Sequence, residues 1–81
     1  MENKREKKVI IFTAPGCVWC TRVKDYLRRA GVRFREVDIS RDPRAAEDMT
    51  RRTGQRGVPV VLVEGRPVVG FDKEKLDRLL A

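Results

Sequence analysis

Hydrophobic and polar positions along this chain repeat with two periods, one typical of strands and one typical of helices. Short runs rich in β-branched residues predict four strands, over residues 8–13, 34–39, 58–63 and 67–69. Apolar residues recur at spacings of three and four in three other segments, which predicts three helices. These helices cover residues 18–30, a segment that starts near Pro43 and stops at Gly54, and the residues after Asp72.

Each predicted helix presents one apolar face. The residues expected to face the core are Cys20, Val23, Tyr26, Leu27 and Ala30 in the first, Ala46, Met49 and Thr53 in the second, and Leu76, Leu79 and Leu80 in the third. The segment order is β-α-β-α-β-β-α, in which the early β-α-β unit implies parallel strands with a right-handed crossover. Glu64-Gly65-Arg66 is a tight reversal, so the last two strands should pair antiparallel.

The expected architecture is therefore an α/β domain, a four-stranded mixed sheet with three helices, spanning residues 1–81. Residues 1–7 are predicted to be a flexible, charged N-terminal segment. They are followed by too short an apolar run for a signal peptide, and no stretch approaches the roughly 20 apolar residues that span a bilayer. A cytoplasmic protein without a membrane partner is expected.

The composition is strongly basic, with 19 Lys and Arg against 12 Asp and Glu and a net charge of +7. Such a balance can indicate a nucleic-acid partner. However, the basic residues are spread along the chain among acidic ones, and they are not interleaved with aromatic residues, of which there are one Trp, one Tyr and three Phe. A solvated surface is the favoured interpretation, and no nucleic-acid partner is predicted.

The only two cysteines form the motif Cys17-Val18-Trp19-Cys20, between the first strand and the first helix. A C-x-x-C at such a junction is typical of a thioredoxin-type redox dithiol. At the helix N-terminus Cys17 faces unpaired N–H groups and the positive end of the helix dipole, which favour its thiolate. One turn further on, Cys20 is within disulfide reach and more enclosed. Cys17 is the predicted nucleophile and Cys20 the resolving cysteine of a redox-active disulfide.

Trp19 and Arg22 flank the second cysteine, and two other roles for the cysteine pair, a structural disulfide and a zinc site, are less favoured. Trp19 is expected to be exposed, as part of a docking surface or incidentally, and Arg22 is expected to support the thiolate with positive potential. A static disulfide adds little to stability across so short a loop, and a zinc site usually needs four Cys or His ligands, whereas this chain has two Cys and no His. No metal is predicted.

Two further segments, Gly57-Val58-Pro59-Val60 and Gly70-Phe71-Asp72, follow the dithiol along the chain. With these motifs in this order and spacing, the chain resembles the glutaredoxins, and more narrowly the small glutaredoxin-like proteins and NrdH-type redoxins, over about residues 8–81. The resemblance implies a minimal thioredoxin fold. It also implies a thiol–disulfide oxidoreductase, an electron carrier in cell redox homeostasis.

The resemblance assigns further site residues. It implies that Pro59 is cis and lies against the dithiol, which leaves the Val58 backbone free to pair with an extended peptide or with glutathione. Gly70 and Phe71 belong to the same substrate site as Trp19. Asp72 matches the position that holds the α-amino group of glutathione, although capping the last helix would also account for it.

Two departures from the glutaredoxin pattern favour thioredoxin reductase over glutathione as the electron source. Ala14 stands where glutathione-using members usually carry lysine, and Val18 stands where their dithiol usually carries proline. Arg56 or Arg22 remains a candidate receptor for a glutathione carboxylate, because guanidinium groups pair well with carboxylates.

The predicted function is reduction of protein or glutathione mixed disulfides by a monomer with no bound cofactor. Disulfide-containing proteins are the expected substrates, and thioredoxin reductase or glutathione the expected electron source. The alternative is an iron–sulfur carrier, in which two chains hold a cluster through Cys17 and two glutathione molecules.

Overall fold

Residues 7–81 are described by a computed structural model, so most of the predicted N-terminal segment 1–7 lies outside the described residues. The order of elements is as the sequence predicts. The strands are β1 (Val9–Thr13), β2 (Arg35–Asp38), β3 (Val60–Val63) and β4 (Arg66–Val69), and the helices are α1 (Val18–Arg29), α2 (Pro43–Thr53) and α3 (Lys73–Leu80). Within residues 7–81, no helix is long and apolar enough to cross a membrane.

The four strands form one mixed sheet in the order β2-β1-β3-β4. β1 pairs parallel with β2 and antiparallel with β3, and β3 pairs antiparallel with β4. Ladder pairing begins at Val60, two residues later than predicted, because the proline before it has no N–H to donate. The predicted mixed sheet of a minimal thioredoxin fold is confirmed.

Alternation along the strands divides the core between the two faces of the sheet. One face carries α1 and α3 on a larger cluster that includes the fully buried Leu27 and Leu76. The other carries α2, where Met49 packs on Phe12, Val60 and Leu62. Each buried Leu or Met side chain stabilises the fold by roughly 1.5–3 kcal/mol relative to exposure.

The residues predicted to face the core are confirmed for α1 and α2, although they differ in how deeply they are buried. α1 buries Cys20, Val23 and Leu27, and Tyr26 and Ala30 are half-buried. α2 buries only Met49 fully, while Ala46 and Thr53 are half-buried, because α2 packs on the smaller of the two clusters.

Local sequence determines where α2 begins and ends. The Asp42 carboxylate accepts hydrogen bonds from the N–H groups of Arg44 and Ala45 at 3.1 and 3.2 Å. Such a cap contributes about 1 kcal/mol, and proline is tolerated in the first turn. Gly54 ends the helix with a φ of 74°, a left-handed conformation that glycine adopts without a Cβ penalty.

Candidate active site

The chain reverses through Ala14-Pro15-Gly16 after β1 and places Cys17 at the N-cap of α1. Its sulfur accepts a hydrogen bond from the Cys20 N–H at 3.1 Å. A donated N–H and the positive end of the helix dipole both stabilise negative charge on a cap sulfur once the disulfide is reduced. The predicted electrostatic setting of Cys17 is therefore present.

Cys17 and Cys20 form a disulfide with a Cα separation of 5.2 Å. The two sulfurs differ in access, because Cys20 is 2% exposed whereas Cys17 is half-buried. Cys17 is therefore the more accessible of the two sulfurs. The difference in burial that the sequence predicts is confirmed, while the roles of nucleophile and resolving cysteine stay predictions.

A groove of about 330 Å³ is lined by five of the predicted site residues: Trp19, Val58, Pro59, Gly70 and Phe71. The Val58–Pro59 peptide bond is cis, and the Gly70 N–H donates to the Pro59 carbonyl at 2.8 Å. Trp19 is 55% exposed, and its ring centroid lies 6.3 Å from that of Phe71. Residues far apart in sequence thus meet beside the dithiol.

Asp72, Arg22 and Arg56, the other predicted residues, do not line this groove. Asp72 follows Phe71 and caps α3, since its carboxylate accepts from the Lys75 N–H at 3.1 Å. The Arg22 guanidinium lies 5.0 Å from the centre of the Trp19 ring, a cation–π contact. Arg56 lines a separate cavity of about 530 Å³ beside α2.

Sequence reasoning missed the polar residues that line a cleft of about 370 Å³ together with both cysteines, which are Thr13, Thr21, Lys24, Glu36 and Asp38. Two of them, Thr13 and Lys24, contact Glu36. The Thr13 hydroxyl, which is buried, donates to the Glu36 carboxylate at 2.8 Å. The Lys24 ammonium group donates to the same carboxylate at 3.1 Å. A signal existed for Lys24, which is four residues after Cys20 and therefore lies on the same side of α1.

These contacts lower the pKa of Glu36. The largest cause is the hydrogen bond from Thr13, which outweighs the opposing effect of burial, and the hydrogen bond and charge of Lys24 act in the same direction as Thr13. Glu36 therefore holds Lys24 at the edge of the dithiol cleft as an ionised carboxylate.

Glu36→Gln is expected to make unfolding less dependent on pH. Because the folded-state pKa is lowered, the stability from ionised Glu36 is fully present above the unfolded pKa of about 4.5 and is lost as pH falls through the folded value. We expect a difference from wild type of about 1 kcal/mol at pH 7, since the carboxylate is partly exposed. Urea unfolding from pH 7 to pH 3 should show this difference shrinking below pH 5.

The control for this measurement is Glu47→Gln, which removes an exposed carboxylate of α2 and leaves the Thr13 and Lys24 contacts intact. If Glu47→Gln produced the same pH-dependent difference, the stabilisation would not come from the contacts of Glu36.

The mixed sheet, the disulfide at the start of α1 and the cis-proline groove beside it define a redox protein of the thioredoxin fold. Residues 9–68 match the family model described as Glutaredoxin, and the chain belongs to the glutaredoxin family. Membership supports thiol–disulfide oxidoreductase activity.

Similar proteins agree with this placement. The chain is 36% identical over 70 residues to a glutaredoxin-like 8.6 kDa protein of the Clostridium pasteurianum rubredoxin operon, covering 86% of this chain and 93% of that protein. The crystal structure of the thioredoxin-like protein BC3987 superposes with a TM-score of 0.83 at 33% identity, covering 90% of this chain and 100% of the other. NrdH-redoxin from Escherichia coli superposes with a TM-score of 0.79 at 32% identity, covering 89% and 93% of the two chains.

Proposed function

We propose that this protein is a small dithiol electron carrier that reduces disulfide bonds in partner proteins. The observation that carries the proposal is the pairing of a half-buried Cys17 at a helix N-terminus with a buried Cys20 one turn away. One accessible thiolate and one enclosed partner thiol are what two successive exchange steps require.

In the first step the Cys17 thiolate attacks one sulfur of the substrate disulfide. A mixed disulfide forms at Cys17, the substrate's S–S bond breaks, and its other sulfur leaves as a thiolate. In the second step Cys20 loses its proton to solvent and attacks the Cys17 sulfur, which releases the second substrate thiolate. The substrate gains two electrons, and the protein ends with its own disulfide.

The groove beside the dithiol holds the substrate in this proposal. The Val58 backbone, next to the cis peptide bond, pairs with an extended segment by main-chain hydrogen bonds, which recognise a peptide without demanding a sequence. Trp19 and Phe71 offer apolar ring surface to the side chains of that segment. Gly70 adds no side chain, so a peptide backbone can approach closely.

A flavin reductase of the thioredoxin reductase type is the electron source we favour. Ala14 offers no charge to a glutathione carboxylate, and Arg56 lies in a cavity apart from the groove. The similar NrdH-redoxin is described as a glutaredoxin-like protein with a thioredoxin-like activity profile. In this view Asp72 serves chiefly as the cap of α3.

A comparison of two coupled assays tests the proposal. The oxidised protein is offered NADPH with thioredoxin reductase, or NADPH with glutathione and glutathione reductase, and NADPH consumption is followed with a protein disulfide as the final acceptor. We expect turnover at least tenfold faster with thioredoxin reductase. Faster turnover with glutathione would reverse the choice of donor, and turnover with neither would contradict the proposed function. Visible absorbance of a cluster after anaerobic purification would favour the iron–sulfur alternative.

A further inference from the structure

One stripe of α1 runs away from the dithiol at helical spacing and carries the exposed Trp19, Arg22 and Arg29 and the half-buried Tyr26. Steps of three and four residues place these side chains along one line of the helix. Phe71, which precedes the N-cap residue of α3, packs against this line, with its ring centroid 6.3 Å from that of Trp19 and 5.4 Å from that of Tyr26. We call these five residues the α1 stripe.

The α1 stripe connects two hollows of the surface. The first is the substrate groove, which Trp19 and Phe71 help to line. The second has a volume of about 310 Å³ and lies between Arg22, Tyr26, Arg29 and Phe71, with Asp25 at its edge. Because Phe71 borders both, a bound chain can pass from the dithiol into the second hollow over continuous aromatic surface.

The two arginines of the α1 stripe are available to a ligand. Among residues 7–81, neither Arg22 nor Arg29 forms an ion pair. The neighbouring carboxylates already have partners, since Asp25 pairs with Arg28 at 3.4 Å and Asp77 accepts a hydrogen bond from the Tyr26 hydroxyl. The second hollow therefore offers two guanidinium groups that pair with no carboxylate among residues 7–81, although Arg22 also contacts the Trp19 ring. Guanidinium groups bind carboxylates with matched geometry.

We propose that the α1 stripe docks an acidic segment next to the disulfide of the partner protein, an inference that rests on the proposed function and names its substrate class. An apolar residue beside the partner's cysteine lies on Trp19 and Phe71, and acidic side chains further along pair with Arg22 and Arg29.

The geometry of α1 predicts how far the acidic residues of the partner lie from its cysteine. At 1.5 Å per residue, Arg22 lies about 7 Å and Arg29 about 18 Å along α1 from Cys17. An extended partner chain advances roughly 3.3 Å per residue, so its acidic residues are expected about two and about five residues from its cysteine.

A nucleic acid is the competing polyanion for this basic surface, and the structure favours the peptide. Asp25 lines the second hollow with both arginines and Asp77 contacts Tyr26 of the same hollow, so these two carboxylates would repel a continuous phosphate backbone. Separate acidic side chains, in contrast, can reach the two guanidinium groups and avoid these carboxylates. If a single-stranded oligonucleotide bound to the α1 stripe and the acidic peptide did not, the proposal would be overturned.

Binding without chemistry is the first test. Trp19 is the only tryptophan of the chain, so its fluorescence reports docking on the oxidised protein. Two peptides are compared, each with serine in place of the partner's cysteine and a leucine next to it. One peptide carries Glu, and the other Lys, at the second and fifth residues from that serine. We expect the Glu peptide to bind at least fivefold more tightly at low salt, with the difference falling as salt screens the charges. Equal affinities, or binding of neither peptide, would overturn the proposal.

A rate comparison is the second test. The same peptides, with cysteine restored and linked to a coloured thiol, are reduced by the wild-type protein and by the Arg22→Glu/Arg29→Glu double variant. The ratio of Glu-peptide to Lys-peptide rates cancels any change in the reactivity of the Cys17 thiolate. We expect this ratio to fall about tenfold or to invert in the double variant.

The matched control for the rate comparison is Arg44→Glu, an equal charge reversal at an exposed position of α2 on the other face of the sheet. We expect it to leave the rate ratio unchanged. An equal loss in Arg44→Glu would show that net charge alone decides the preference, and would overturn the proposal. If wild-type protein failed to reduce even an uncharged small disulfide, the proposed function would fail, while the fluorescence test would still decide whether the acidic peptide docks.

Discussion

Replacing Cys17 with serine is expected to abolish disulfide reduction, with a loss of at least about a thousandfold. A serine hydroxyl is not ionised at neutral pH and cannot attack a disulfide sulfur, whatever stabilisation the helix N-terminus provides. The measurement is the rate of reduction of a small uncharged disulfide in the coupled assay. A thermal melt checks the fold, which should survive because serine is itself a good N-cap residue.

Cys20→Ser is the matched control, because it removes the other sulfur by the same change. We expect this variant to complete the first exchange and then stop, since no second thiol resolves the mixed disulfide at Cys17. Mass spectrometry should therefore detect a covalent adduct with a protein substrate in Cys20→Ser and none in Cys17→Ser. If Cys20→Ser instead removed the thiolate that iodoacetamide alkylates at neutral pH, the two roles would be reversed.

The fold could be predicted from sequence because its signals are local. The switch between periods of two and about 3.6 separates strands from helices, and residues such as Gly54 and Asp72 end or begin helices through their own backbone and side-chain chemistry. The dithiol is local too, since Cys17 and Cys20 are one helical turn apart. Such features need no knowledge of how the segments pack.

The parts of the site that sequence reasoning missed depend on packing between distant segments. Lys24 and Glu36 are 12 residues apart and Thr13 and Glu36 are 23 residues apart, and their contacts exist only because β1 pairs with β2 beneath α1. The resemblance does assign Phe71 to the site, but its contacts with Trp19 and Tyr26 likewise exist only after the C-terminal segment has packed. Apart from the helical spacing between Cys20 and Lys24, charged and aromatic side chains of this kind carry no periodic signal that distinguishes a site from a solvated surface.

Leu27→Ala is expected to cause a large loss of stability, about 3 kcal/mol, and with it a loss of the geometry of the dithiol. Leu27 is fully buried at the centre of the larger core cluster, on the same helix that begins at the cysteines. Removing its side chain leaves a cavity, which typically costs 2–5 kcal/mol for a buried leucine. A domain of 81 residues has a total stability of only about 4–12 kcal/mol.

The control is Leu79→Ala in α3, which removes the same atoms from a half-buried position at the margin of that cluster. Thermal unfolding of the oxidised proteins should place the midpoint of Leu27→Ala roughly 15 °C below wild type and that of Leu79→Ala at most half as far below, since about 1 kcal/mol shifts a domain of this size by 4–8 °C. Equal shifts would mean that burial of Leu27 does not determine how firmly α1 is held. A larger shift in Leu27→Ala, together with faster alkylation of reduced Cys20, would show that packing beneath α1 keeps the resolving cysteine enclosed.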